Sequence, residues 1–249
     1  MKSILESNVR YLDEQYRLGK AIISDQAFNQ LEKKLKKTFP NCNYFNKKKN
    51  LKLPSIESKD YRQFLKTLLK NTRLSIQPKI DGCAIAIEYI HGRLLKAINR
   101  NGNDITNKII KIKNIPHIIP IERSIQVRGE LYIPNKNGYI SQRITSRYLE
   151  SNIENKEDFT FCCFQILNGR LNQYESLNYL KKCGFTIPHS YFTNNINQIE
   201  SFRWKWKRGD IFANYPTDGI IIKINSRKLQ YEREKNPFKK EEWQYAIKD

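Results

Sequence analysis

An α+β protein, with a small helical N-terminal domain followed by a larger domain of antiparallel sheets, is the fold class the sequence predicts. Three observations predict it. Apolar residues recur at helical spacing near the N-terminus, as in Leu5, Val9, Leu12 and Tyr16. Beyond residue 74, short apolar runs with strand character dominate. Few helical stretches interrupt those runs, so the strands read as meanders with inserted helices rather than alternating βαβ units.

Residues 4–36 read as two helices. Gly19 breaks the first, and Ser24 is a plausible N-cap for the second, whose stripe is Phe28, Leu31 and Leu35. Ala27 stands where a capping box has Glu or Gln. The basic, Asn-rich stretch from Asn41 to Lys52 has the composition of an exposed linker and ends near Pro54. It divides a helical unit, residues 1–45, from a second unit, residues 55–249. The second opens with a helix over 59–71. Strands follow at 74–79, 83–90, 94–99, 124–133, 159–167 and 218–224, with helices at 174–184 and 196–208. Trp243 to Lys248 is a further apolar strand ending in a lysine.

Composition narrows the function classes. The 249 residues suffice for a real core, and 39% hydrophobic content argues against disorder. No apolar run reaches membrane-spanning length, and Met1 to Tyr16 mixes charges of both signs, so neither a membrane span nor a secretory signal is expected. A cytoplasmic protein is expected. The net charge is +20, from 45 Lys and Arg against 25 Asp and Glu, and a surface so basic attracts polyanions, nucleic acid first. An AT-rich coding bias toward lysine is the competing explanation. Cys42, Cys83, Cys162, Cys163 and Cys183 form no Cys-x-x-Cys pair and have no His at zinc spacing, so no structural zinc is expected and the thiols read as reduced. Cys162 and Cys163 point to opposite faces of one strand.

The stretch Lys79-Ile80-Asp81-Gly82 lies between two strand-like runs and reads as a tight turn or loop. Its lysine sits on rigid backbone with a carboxylate two residues away, which makes it a candidate nucleophile. Alone, the tetrapeptide is better explained as a solvated hairpin turn. Four further segments place a polar group beside a strand. Arg100 follows one strand and suits a phosphate or sugar. Glu130 sits inside an apolar strand, where an unpaired charge is expensive. Asp218 and Lys223 stand at opposite ends of a buried strand, and Lys248 ends another. Together, in this order, they are hard to explain as separate strand-end charges.

These segments resemble the ordered motifs of the covalent nucleotidyltransferases: DNA ligases, RNA ligases and capping enzymes. Gln77 to Gly82 is similar to the first motif, Arg128-Gly129-Glu130 to the third, Phe159 to Phe164 to the aromatic-rich strand after it, Asp218 to Lys223 to the fourth, and Trp243 to Lys248 to the fifth. The N-terminal stretch containing Tyr16, Asp25, Phe28 and Asn29 is similar to the small helical domain of NAD-dependent DNA ligases. The resemblance spans the whole chain. It looks nearest to the shorter bacterial B-type paralogue, in which glutamine also precedes the Pro-Lys. It implies a helical domain that grips the nicotinamide mononucleotide (NMN) half of NAD, joined to an ATP-grasp-like nucleotidyltransferase domain.

The activity implied is self-adenylation of Lys79 by NAD with release of NMN, the first step of joining nicked or broken duplex DNA in repair and replication. Magnesium is the implied metal. To attack phosphorus the Lys79 amine must be neutral, whereas a free lysine with pKa about 10.4 is mostly protonated at pH 7. Lys223, Lys248 and Arg100 are expected to converge on one pocket, favouring the neutral amine and offsetting phosphate charge. Asp81 is expected to orient the amine or take its proton. Glu130 suits the ribose hydroxyls or a magnesium-bound water, Gln77 the adenine edge, and Asp218 a metal or its waters. Tyr16 and Phe28 are expected to sandwich the nicotinamide ring, with Asp25 satisfying its ribose or carboxamide.

Three departures from the family pattern stand out. Asn29 occupies a position usually Asp, and Phe28 replaces a common Tyr. The loop after Arg100 is short. The stretch at Ser141-Gln142-Arg143 lacks the usual small-residue run, although Arg143 remains a candidate contact to DNA. Arg203 to Arg208 holds two tryptophans among four cations, which marks Lys205 and Lys207 as candidate DNA contacts or else as the outer face of a helix with its tryptophans inward. Longer members of the family continue beyond the point matched by Lys248 with an OB-fold, a zinc finger, a helix-hairpin-helix array and a terminal interaction domain. Adenylation is therefore expected of this stretch, and sealing of a nick only with an OB-fold to close on DNA. The alternatives are an ATP-dependent polynucleotide ligase module and a non-ligase descendant that binds DNA or transfers the adenylyl group elsewhere.

Overall fold

The computed structural model describes residues 2–17, 22–40, 42, 61–134, 136–150, 158–167, 169–234 and 243–248. Of the expected linker, Asn41 to Lys52, Cys42 alone is described, and it is buried rather than exposed. Two helices open the chain, α1 (Lys2–Arg17) and α2 (Asp25–Thr38). Ser24 caps α2 as anticipated, its Oγ accepting from the Ala27 amide at 3.3 Å. The helices pack through buried Val9, Leu35 and Cys42, with Leu5, Phe28, Leu31 and Phe39 closing around them.

The rest builds on two antiparallel four-stranded sheets. The first has order β6-β1-β7-β8, from β1 (Leu74–Ile80), β6 (Tyr191–Thr193), β7 (Thr217–Ile224) and β8 (Gln244–Lys248). The second has order β3-β2-β4-β5, from β2 (Cys83–Ile90), β3 (Arg93–Asn99), β4 (Ile125–Tyr132) and β5 (Thr160–Ile166). Strands β1 and β2 are consecutive yet belong to different sheets. Asp81-Gly82 is therefore the step between sheets, and the hairpin reading of that turn is corrected.

Period-two alternation sorts the side chains. Leu74, Ile76, Ile220, Ile222, Ile224 and Ile247 leave the outer face of the first sheet for a core completed by Phe64 and Ile199. Those two come from α3 (Tyr61–Lys66) and α7 (Gln198–Lys207). Ile85, Ile87, Tyr89, Val127, Leu131 and Phe161 do the same for the second sheet. Their core is covered by isoleucines from Ile105 to Ile119, a segment that includes the short helix α4 (Thr106–Ile109), and by Tyr148, Leu149 and Leu180. The last three belong to α5 (Gly138–Glu150) and α6 (Gln173–Lys182). The helix expected at 59–71 ends earlier, at Lys66, and α5 and α8 (Arg227–Glu234) were not foreseen. The alternate residues of each strand face inward. On β2 these are Ala84 and Ala86, small enough to leave space between the sheets.

Candidate nucleotide site

A cavity of about 270 Å³ lies between the inner faces, lined from the first sheet by Gln77, Lys79, Ile221, Ala246 and Lys248 and from the second by Ala84, Arg128, Glu130 and Phe164, with Arg100 at a strand end. Its size sits near the small end of ligand pockets, about 300–1,000 Å³.

Lys79 is the penultimate residue of β1, and opposite it β7 is irregular. Pro78 pairs with Ile220 but Ile80 with Thr217, so Asp218 and Gly219 together oppose the single residue Lys79. The bulge aims Asp218 at the lysine. Lys79 Nζ donates to Asp218 Oδ1 at 2.6 Å, and Lys248 Nζ lies 3.0 Å from Asp218 Oδ2. One carboxylate thus joins the ends of three adjacent strands. Gly219 makes this possible: a Cβ there would lie 2.2 Å from the Ile247 carbonyl oxygen, so only glycine lets β8 come close enough to bring Lys248 in. Gly82 has the same role where the chain enters the second sheet beside β4, since a Cβ would stand 2.2 Å from the Leu131 carbonyl oxygen.

Electrostatics follow from these contacts. Burial by itself raises the Asp218 pKa, but its bonds and charge interactions with Lys79 and Lys248 outweigh this and hold it below the ordinary value. Asp81 shifts the other way, raised by burial and then by the nearby charge of Asp218. Glu130 is pushed up to about 7, chiefly by burial, against the pull of Arg128, Lys79 and Arg100. Asp81 and Asp218 disfavour each other's charge, and both Asp218 oxygens are held by lysines. Among the described residues no group of three or more His, Cys, Asp and Glu could hold a metal by itself.

The expected site residues separate into groups. Lys79, Gln77, Glu130, Arg100 and Lys248 line one cavity, with Asp218 bound to two of them. Gln77 is buried and its Nε2 donates to Ser75 Oγ at 3.1 Å. Of the three cations expected to converge on one pocket, Lys248 and Arg100 line the cavity with Lys79 and Lys223 does not. The bonded neighbour of the Lys79 amine is the carboxylate of Asp218. Lys223 is wholly buried, its Nζ 4.6 Å from the Phe164 ring centroid, so it stands behind that ring rather than on the cavity wall. Phe28 packs in the α1–α2 core, and the side chains of Tyr16, Asp25 and Asn29 lie outside the described residues.

Arg143 is away from the cavity, beside a separate open depression of about 650 Å³ with Cys83, Arg147 and Glu150. Lys205 and Lys207 are exposed on α7.

Sequence reasoning placed Arg128 and Phe164 within motif segments but gave neither a role in the site. Phe164 is the extra residue of a bulge on β5, since Gly129 pairs with Cys163 but Arg128 with Gln165. Its ring forms an aromatic wall backed by Lys223, with the Arg128 guanidinium 5.8 Å from its centroid. The signal for Arg128 was present: a second charge two residues from Glu130 in an apolar strand lies on the same face.

Comparisons with known proteins converge. The sequence model of the family described as NAD-dependent DNA ligase adenylation domain matches residues 52–145 and 141–247. The chain is 30% identical over 283 residues to the DNA ligase of Petrotoga mobilis, covering 91% of this chain and 42% of that protein. It is 27% identical to the DNA ligase of Mycoplasmopsis agalactiae, covering 92% of this chain and 42% of that one. The chain thus spans less than half the length of these relatives. Among solved structures, one titled an archaeal ATP-dependent RNA ligase superposes with TM-score 0.51 at 16% identity, covering 79% of this chain and 48% of the other. Another, titled Pmar-Lig_PreS3, gives TM-score 0.51 at 13% identity, covering 92% of this chain and 52% of the other. Both are likenesses of fold.

Proposed function

The chain belongs to the NAD-dependent DNA ligase adenylation domain family, and from that premise we propose that it transfers the adenylyl group of NAD to Lys79 as the first step of DNA joining. The observation that carries this reading is the junction of Lys79, Asp218 and Lys248 beside the cavity between the sheets. The Lys79 amine loses its proton and attacks the α-phosphorus. A nitrogen–phosphorus bond forms, the phosphorus–oxygen bond to NMN breaks, and NMN leaves with the electron pair.

Each neighbour has a part in this scheme. Phe164 offers a face for adenine and Gln77 a hydrogen-bonding edge. Glu130 faces the ribose hydroxyls, protonated or ionised near neutral pH because of its raised pKa. Lys248 and Arg100 stabilise the negative charge growing on the phosphate oxygens, and Lys223 supports the Phe164 wall from behind. Asp81 lies close to take or relay the amine proton. Asp218, with Asp81 near it, suits magnesium, which when bound would supply positive charge for the phosphates.

The finer assignments belong to the same proposal. Residues 1–45 form the NMN-binding unit through Tyr16, Asp25, Phe28 and Asn29, and residues 55–249 form the adenylation domain. Gln77 before Pro78 favours the B-type branch. The adenylyl group then passes to a DNA 5′-phosphate, with Arg143 a backbone contact, in the cytoplasm. Among the described residues no helix is long and apolar enough to cross a membrane.

The test incubates the chain with magnesium and either NAD or ATP and measures released NMN or pyrophosphate. One equivalent of NMN from NAD, and no pyrophosphate from ATP, is expected. Turnover with ATP alone would replace NAD as the donor.

A further inference from the structure

Helix α7 carries a surface that the nucleotide chemistry does not use. From Arg203 to Arg208 it presents four cations and two tryptophans in six residues. The tryptophans divide. Trp206 turns inward, packs on the first sheet's outer core and donates from Nε1 to Thr217 Oγ1 at 2.8 Å. Trp204 turns outward and is 58% exposed. Its indole is thereby presented to solvent among cations. The cations around it are arranged rather than scattered. Lys207 Nζ lies 5.6 Å from the Trp204 ring centroid, and Lys205 Nζ lies 5.9 Å from that of Phe202. The acidic residues at the two ends of the patch are already engaged by arginines, Glu200 with Arg62 and Arg203, and Asp210 with Arg208.

We propose that this face of α7 binds single-stranded DNA, with a base stacked on Trp204 and phosphates on Lys205 and Lys207. Stacking on an aromatic side chain combined with cations along the backbone is the general chemistry of single-strand binding. A duplex keeps its bases stacked on one another, so it offers Trp204 no free ring. Trp206 packs into the outer core of the first sheet, so this surface lies on the side of that sheet away from the cavity and stands apart from the nucleotide chemistry.

The assignment extends the proposed DNA substrate. It is read without NAD, so its failure and a failure of Lys79 to take up AMP are separate results. The experiment titrates the chain with a fluorescent single-stranded 12-mer and with the matching duplex, following anisotropy and tryptophan emission over a range of salt. Single strand is expected to bind more tightly and to quench emission. Trp204→Ala should remove most of the quench and weaken binding at least about fivefold. Lys205→Glu with Lys207→Glu should weaken it about tenfold and flatten the slope of log affinity against log salt by about 1.4. The charge-keeping pair Lys205→Arg and Lys207→Arg should bind like the parent, which separates lost contacts from lost folding. Equal binding of duplex and single strand, or no effect of Trp204→Ala, would overturn the proposal. So would an unchanged salt slope in the charge-reversed protein.

Discussion

Lys79 meets two opposed demands. A lysine that attacks phosphorus must be uncharged, while a lysine 2.6 Å from Asp218 is held as the charged partner of an ion pair. In the proposed reaction this ion pair would hold the attacking amine in place until the Asp218 carboxylate is drawn elsewhere. Asp218 contributes stability above the ordinary aspartate range, and that contribution is lost as pH falls through its depressed pKa. Asp218→Asn should therefore cost about 1 kcal/mol in urea unfolding at pH 7, the modest figure reflecting a carboxylate partly open to solvent, and progressively less as pH falls below the ordinary aspartate range. Glu130 has the opposite sign. Its folded pKa lies at about 7 against 4.5 for an ordinary glutamate, so the folded state holds the proton more tightly and stability falls as pH rises between those values. Glu130→Gln removes that loss. The variant should be more stable than the parent by about 1–3 kcal/mol at pH 8 and indistinguishable near pH 4, read from thermal unfolding across pH.

The two bulges are the elements that turn a pair of sheets into a site. Asp-Gly in β7 brings Asp218 toward Lys79 and lets β8 approach, so Gly219→Ala should push β8 away from β7 against a backbone oxygen that cannot yield. A loss of about 1–3 kcal/mol by chemical unfolding is expected, together with slower adenylation because Lys248 leaves Asp218. The same elements show what could be read from the chain. Lys79, Asp218 and Lys248 were legible because a charged residue ending an apolar strand is conspicuous. Phe164 was not, because its entry depends on a pairing shift opposite Arg128 and Gly129. Helix α5 escaped for a different reason. Its buried face includes Ser141 and Thr145, held by bonds from the Ile133 amide to Ser141 Oγ and from Thr145 Oγ1 to the Ser141 carbonyl. Apolar periodicity cannot reveal a face built on hydroxyls. Helix α8 is similar, since it buries Gln230 and bonds it to the Ile224 carbonyl at 2.7 Å.

For the molecule as a whole, two sheets set face to face supply both the core and the site: bulky isoleucines go outward beneath helices, and small or polar residues go inward. Fold class followed from that alternation, and so did the antiparallel pairing. The depth of Lys223 behind Phe164 did not, because it depends on how closely the two inner faces meet. A net charge of +20 over this framework gives the molecule a general attraction to polyanions, on which any specific DNA contact is superimposed. The central claim is covalent. Incubating the protein with NAD and magnesium, digesting it and mapping the peptides by mass spectrometry should show one adenylyl group on the peptide containing Lys79, absent from Lys79→Ala. An adenylyl group on another residue, or its persistence in Lys79→Ala, would contradict the account.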